Sequence, residues 1–195
     1  MIELSQARVG CAMTGSFCTF KAVFDAWRAL KGRAGEMVPI MSFNAAAIDT
    51  RFYPASHARQ IFSEIAGRRP LDTLAQVEPI GPRKLLDALV IAPCTGNTLA
   101  KLAGGIADTP VTLAAKSHLR NGRPLVIAVS SNDALGRNAA NIGRLLDAKH
   151  VYFVPFIQDD PVEKPNSLVA RFDLIPDCLS EALRGRQMQP ILGRS

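Results

Sequence analysis

Five short apolar runs, the first four of them ending in a polar turn, constrain this chain more than any other feature. They are Arg8 to Met13, Met37 to Met41, Leu89 to Ala92, Leu125 to Val129 and Val151 to Phe156. None alternates apolar with polar residues, so each is expected to be buried on both faces. That is the signature of a parallel sheet covered by helices on both sides, with right-handed crossovers. A chain of 195 residues, 48% of them hydrophobic, has enough apolar surface for one such core. The expected architecture is α/β: a three-layer, doubly wound parallel sheet in one domain spanning 1–195.

Helical spacing fills the intervals. Phe20, Val23, Phe24, Trp27 and Leu30 mark one face of a helix, and His57 to Ile65 marks another that ends near Gly67. Between them, Ser42-Phe43-Asn44 reads as a turn opening an irregular stretch through Ala55. Arg68 to Lys84, with Pro70, Pro79, Gly81 and Pro82, reads as loop with one turn of helix. Leu99 to Ile106 and Val111 to Leu119 form two helical pieces, the second started by Pro110. Further helices are expected over Asn138 to Leu146 and Ile175 to Arg184.

In such a sheet ligands collect at the carboxyl ends of the strands, where the polar turns fall. These are Thr14-Gly15-Ser16, Ser42-Phe43-Asn44, Thr95-Gly96-Asn97-Thr98 and Ser130-Ser131-Asn132-Asp133. Ser, Thr, Asn and Asp cap helices routinely, but capping alone does not require such clustering at every strand end. A joint binding rim is therefore favoured over capping alone. The third turn runs straight into a helix, whose unpaired first-turn N–H groups and dipole favour an anion such as a phosphate.

The net charge of +6 is spread over loops, without the interleaved aromatics of a single-strand nucleic-acid groove. No nucleic-acid partner is expected; the scattered charge reads first as a solvated surface, with attraction of small anions such as phosphates or dicarboxylates as the alternative. The first residues lack a basic region followed by an apolar stretch, and no apolar run approaches a membrane span, so a soluble, cytoplasmic protein is expected. Cys11, Cys18, Cys94 and Cys178 form no Cys-x-x-Cys pair and read as reduced thiols, Cys94 as a small buried hydrophobe. His57, His118 and His150 lie outside the polar turns and read as capping or surface residues. Asp133, Asp159 and Asp160 are acid–base candidates, the adjacent pair being more typical of a solvated loop. No spacing completes a metal site, and none is expected.

With these turns in view, the chain resembles the homo-oligomeric flavin-containing cysteine decarboxylase family of flavoproteins. Thr14-Gly15-Ser16 matches the family's first turn, and Pro93-Cys94-Thr95-Gly96-Asn97-Thr98 is similar to its Pro-Ala-Ser-Ala-Asn-Thr segment. Longer segments resemble one branch of that family across nearly the whole chain. They include Thr50-Arg51-Phe52, Glu78 to Pro82, Ala114-Ala115-Lys116, Ser131 to Gly136, Pro155 to Pro161 and Lys164 to Ser167.

The resemblance implies a Rossmann-like flavoprotein fold, a homo-oligomer and a site shaped for flavin mononucleotide (FMN). The implied cofactor contacts are Gly15, Ser16, Ser42, Thr95, Asn97, Thr98, Ser130 and Asn132. The branch also implies a second polypeptide that carries a nicotinamide-binding (NADP or NAD) dehydrogenase-type domain. The implied product is pyridine-2,6-dicarboxylate, made in sporulating bacteria from a dihydro precursor. Arg51, Lys116 and Lys164 are then candidates for the substrate's carboxylates. Two departures stand out. The family's decarboxylases carry a His shortly before the third strand, whereas this chain has none between His57 and His118. Ser130 and Asn132 replace a Pro-Ala-Met-Asn turn in which only the Asn is kept. The alternatives are a non-catalytic partner of the nicotinamide-binding polypeptide and an independent FMN-dependent decarboxylase-like enzyme.

Overall fold

The computed structural model describes residues 2–193. Five parallel strands run in the order β2-β1-β3-β4-β5, where β1 is Arg8–Met13, β2 Glu36–Met41, β3 Ala88–Cys94, β4 Leu125–Ser131 and β5 Val151–Phe153. The doubly wound expectation holds. In a sheet of this order the winding reverses between β1 and β3, which opens a crevice at their carboxyl ends.

Helices cover both faces. On one side lie α1 (Phe20–Lys31), α3 (Ala55–Ala66) and α8 (Ile175–Leu183). The five apolar positions that announce α1 are all buried, and Trp27 stacks on Phe62 of α3 with ring centroids 6.0 Å apart. Gly67 ends α3 in the left-handed conformation, at φ 74°, which glycine adopts without a Cβ penalty. The other face holds α4 (Leu74–Val77), α5 (Gly96–Ala103), α6 (Pro110–Leu119) and α7 (Ala139–Leu146). Pro110 does open α6, behind a Thr109–Thr112 capping box.

Three expectations need correction. The stretch after Ser42 begins with a short helix, α2 (Phe43–Ala47), whose N-cap is Ser42. The fifth apolar run is not one strand: β5 stops at Phe153, and β6 (Phe156–Ile157) pairs with β7 (Leu168–Ala170), which lies antiparallel to the end of β4. The sheet is therefore mixed, with a parallel body and an antiparallel arm. His118 is not at the surface: it is 1% exposed and its Nε2 lies 3.0 Å from the Pro124 carbonyl.

The chain after α8 closes the open sheet edge. The Phe153 N–H donates to Gln187 Oε1, and Gln187 Nε2 donates to the Phe153 carbonyl, both at 2.7 Å. One side chain thus stands in for a neighbouring strand, which protects an edge that would otherwise be free to pair. Gln187→Ala leaves both groups of Phe153 without these partners. The expected loss is about 1–3 kcal/mol in urea unfolding, against no measurable loss for an exposed Gln such as Gln60.

Among the described residues no helix is long and apolar enough to cross a membrane. No three His, Cys, Asp or Glu side chains among them gather as metal ligands would.

Candidate flavin site

The four polar turns meet at the crevice and are bonded to one another. Thr14, 1% exposed, donates its hydroxyl to the Pro93 carbonyl at 2.7 Å and accepts the Thr95 N–H at 3.0 Å. That one side chain ties the first turn to the third. Ser16 Oγ lies 2.7 Å from Ser130 Oγ, which ties the first turn to the fourth. The Ser42 N–H donates to the Met13 carbonyl at 2.9 Å, bringing in the second.

Capping and rim formation prove compatible. Ser42 Oγ accepts the Ala45 N–H and Thr95 Oγ1 accepts the Thr98 N–H, each at 3.3 Å. Both residues also face open space. The amides of Gly96 and Asn97 belong to the first turn of α5, where a helix supplies no carbonyl partner of its own.

Two cavities flank this junction and share Gly15 and Thr95. The larger, about 790 Å³, has a floor of Gly15, Ser16, Gly96, Ser130, Ser131 and Asn132. Its walls are apolar at Phe17, Phe52, Leu168 and Val169, and polar along Asp159 and Glu163 to Ser167. The smaller, about 370 Å³, is lined by Thr14, Ser42, Asn44, Asn97, Thr98, Lys101 and Thr109. Lys101 Nζ bonds both oxygens of Asp108 at 2.7 and 2.8 Å, and that bond holds the Asp108 carboxyl below its usual range.

All eight candidate cofactor residues therefore line one cavity or both. The three candidate carboxylate ligands separate. Lys164 lines the larger cavity, 3.8 Å from Asp159. Arg51 lies over the Phe52 ring, 4.9 Å from its centroid, at the outside of that wall. Lys116 sits in the last turn of α6, outside both linings. Asp133 is not free for acid–base work: it accepts from Ser131 Oγ at 2.5 Å and from Asn138 Nδ2 at 2.8 and 2.9 Å. Cys11 and Cys94 are fully buried, and burial pushes both thiols far up; that of Cys178 is pushed up to about 12. The exposed thiol is Cys18, in the wall of the larger cavity.

Local pattern does not reveal the arm. The pair Asp159-Asp160 reads as part of a solvated loop, yet Asp159 and Glu163 to Ser167 supply one wall of the larger cavity. The Leu135 N–H donates to the Asn166 carbonyl at 2.9 Å, which pins the arm to the fourth turn. Its only signal in the sequence is the family-like Pro155 to Pro161 and Lys164 to Ser167 segments.

A hydroxyl-lined rim at the reversal point of a doubly wound sheet is where such sheets collect ligands; residues 2–174 match the Flavoprotein family model, and the chain belongs to that family. Within it, the chain is 43% identical over 192 residues to the B subunit of dipicolinate synthase of Bacillus subtilis, covering 98% of this chain and 96% of that protein. The crystal structure of the dipicolinate synthase B subunit from Bacillus halodurans superposes with a TM-score of 0.90 at 40% identity, covering 99% of both chains. The FMN-dependent cysteine decarboxylase SpaF is similar at a TM-score of 0.68 and 26% identity, covering 93% of this chain and 97% of that one.

Proposed function

We propose that this chain is the B subunit of a dipicolinate synthase. In this reading it binds FMN and works with the A subunit of the synthase, which brings NADP or NAD, in the cytoplasm of a sporulating bacterium. The observation that carries the reading is the junction of four bonded turns between two cavities of unlike character. The smaller one, rich in hydroxyls and amides beside the N-termini of α5 and α6, suits a phosphate. The larger one, with Phe17, Phe52, Leu168 and Val169 in its walls, suits a flat ring system.

Gly15, which both cavities share, then holds the ribityl phosphate from one side, with Ser42, Asn97 and Thr98 from the other, and Ser16 reaches it from the floor of the larger cavity. Thr95, Ser130 and Asn132 meet the ring edge. Formation of pyridine-2,6-dicarboxylate removes a hydride and a proton from a dihydropyridine, and a flavin supplies a hydride acceptor. Lys164 pairs with a substrate carboxylate from the arm, and Arg51 reaches the other only by turning inward past the Phe52 ring on which it rests. Asp159, beside Lys164, takes the proton. Exposed Phe43, Ile48 and Phe52, each more than 40% accessible, give further copies of the chain, or the A polypeptide, an apolar surface around the site.

The test is the visible spectrum of the purified chain after addition of FMN and desalting. A retained flavin band is expected, with affinity reduced about tenfold in Ser16→Ala and in Asn97→Ala, each of which removes hydrogen bonds to a charged group. A colourless chain that still restores dipicolinate formation to the A polypeptide makes it a non-catalytic partner instead.

A further inference from the structure

The carboxylate of Asp133 lies behind the floor of the larger cavity, and neither cofactor binding nor proton transfer as proposed uses it. It is half-buried. No Lys, Arg or His among the described residues comes within 4.0 Å of it. Its partners are neutral: Ser131 Oγ, and the amide of Asn138, which is 6% exposed and is itself held by Asn141 at 2.9 Å. Across the floor the carboxylate abuts Gly96, the first residue of α5. A Cβ there would fall 2.7 Å from Asp133 Oδ1, 2.6 Å from Ser131 Oγ and 2.5 Å from Asn138 Nδ2. A fixed negative charge therefore rests against the positive end of the α5 dipole, on the side of the larger cavity.

Two consequences follow from electrostatics. The charge offsets the attraction of that helix end for an anion, so the larger cavity is left to an uncharged group while the smaller one, whose lining contains no Asp or Glu, keeps the phosphate. It also opposes any negative charge that develops on a ring lying over Gly96 and Asn132. Uptake of two electrons and one proton by a flavin, supplied from an external reductant and from water, leaves the ring with one negative charge. A carboxylate beneath it disfavours that reduced form.

We propose that Asp133 is a positioning residue which ties the fourth turn to Asn138 at the start of α7, close against Gly96 of α5, and, through its charge, lowers the reduction potential of a flavin bound in the larger cavity. The proposal rests on the flavin reading. The test is the midpoint potential of FMN bound to the parent chain, Asp133→Asn and Asn138→Ala, with dithionite as the reductant and a reference dye. Asp133→Asn keeps the shape and removes the charge. It is expected to raise the affinity for reduced over oxidised FMN about tenfold, an upward shift of about 30 mV. Asn138→Ala removes hydrogen bonds but not the charge, so it should lower the melting temperature and leave the potential in place. Asp133→Ser is the substitute if the amide variant does not fold. Equal potentials in the parent and the charge-removed variant overturn the proposal while leaving the flavin reading intact. A parent chain that holds no FMN brings down the flavin reading, and the proposal with it.

Discussion

A Gly96→Ala protein is expected to fold and yet to lose FMN on desalting. The added methyl would fall 2.5–2.7 Å from three polar atoms of Asn138, Ser131 and Asp133, far inside van der Waals contact. None of the three can yield alone, because the Ser131–Asp133–Asn138 bonds join them. The first turn of α5 or the whole fourth turn must shift, and overpacking of this kind costs about 1–3 kcal/mol. The displaced elements carry Thr95, Asn97 and Asn132. If that cost falls on the geometry a ligand needs, affinity drops about 10- to 100-fold. Far-UV circular dichroism should match the parent while the visible flavin band is absent after gel filtration. Retention equal to the parent would show that neither turn touches the cofactor.

What can be read in advance follows the reach of each physical signal. The strands β1 to β4 are legible because burial on both faces leaves a continuous apolar run, and α1 because five large side chains repeat at helical spacing. α2 escapes: five residues from Phe43 to Ala47 are too few to show a period, and only the Ser42 cap marks them. The break after Phe153 is concealed by Val154, Pro155 and Phe156, which continue the apolar run although the chain has left β4 for the arm. The four turns are visible because their chemistry is local. The arm wall is not, because Asp159 to Ser167 shows its role only once β7 returns antiparallel beside β4. His118 misleads for another reason. Flanked by Lys116 and Arg120 it looks solvent-facing, yet Val111, Ala114, Ala115 and His118 sit three, four and seven residues apart on one helical face, and all four are buried. The spacing is a better guide than the neighbours.

That buried imidazole should make the protein acid-labile well above the range where carboxylates titrate. Burial pushes the His118 pKa down from 6.5 to about 4. The bond to the Pro124 carbonyl opposes the shift, Arg123 reinforces it, and Asp87 opposes it weakly. The unfolded chain protonates this histidine near pH 6.5, whereas the folded chain resists protonation until about pH 4. Between those values the unfolded state binds more protons, so stability falls as the pH falls. Above pH 6.5 the histidine is neutral in both states and contributes no slope. A shift of this size amounts to about 3 kcal/mol across the window, roughly 2 kcal/mol of it already lost by pH 5. Urea unfolding at pH 7.5 and pH 5 measures the loss directly. His118→Gln, which retains a donor for the Pro124 carbonyl and cannot titrate, should lose about 2 kcal/mol less than the parent over the same interval. Parallel losses in the two proteins would mean that the imidazole is solvated enough to take its proton in the folded state, and that α6 does not pack as tightly over β4 as the 1% exposure of His118 requires.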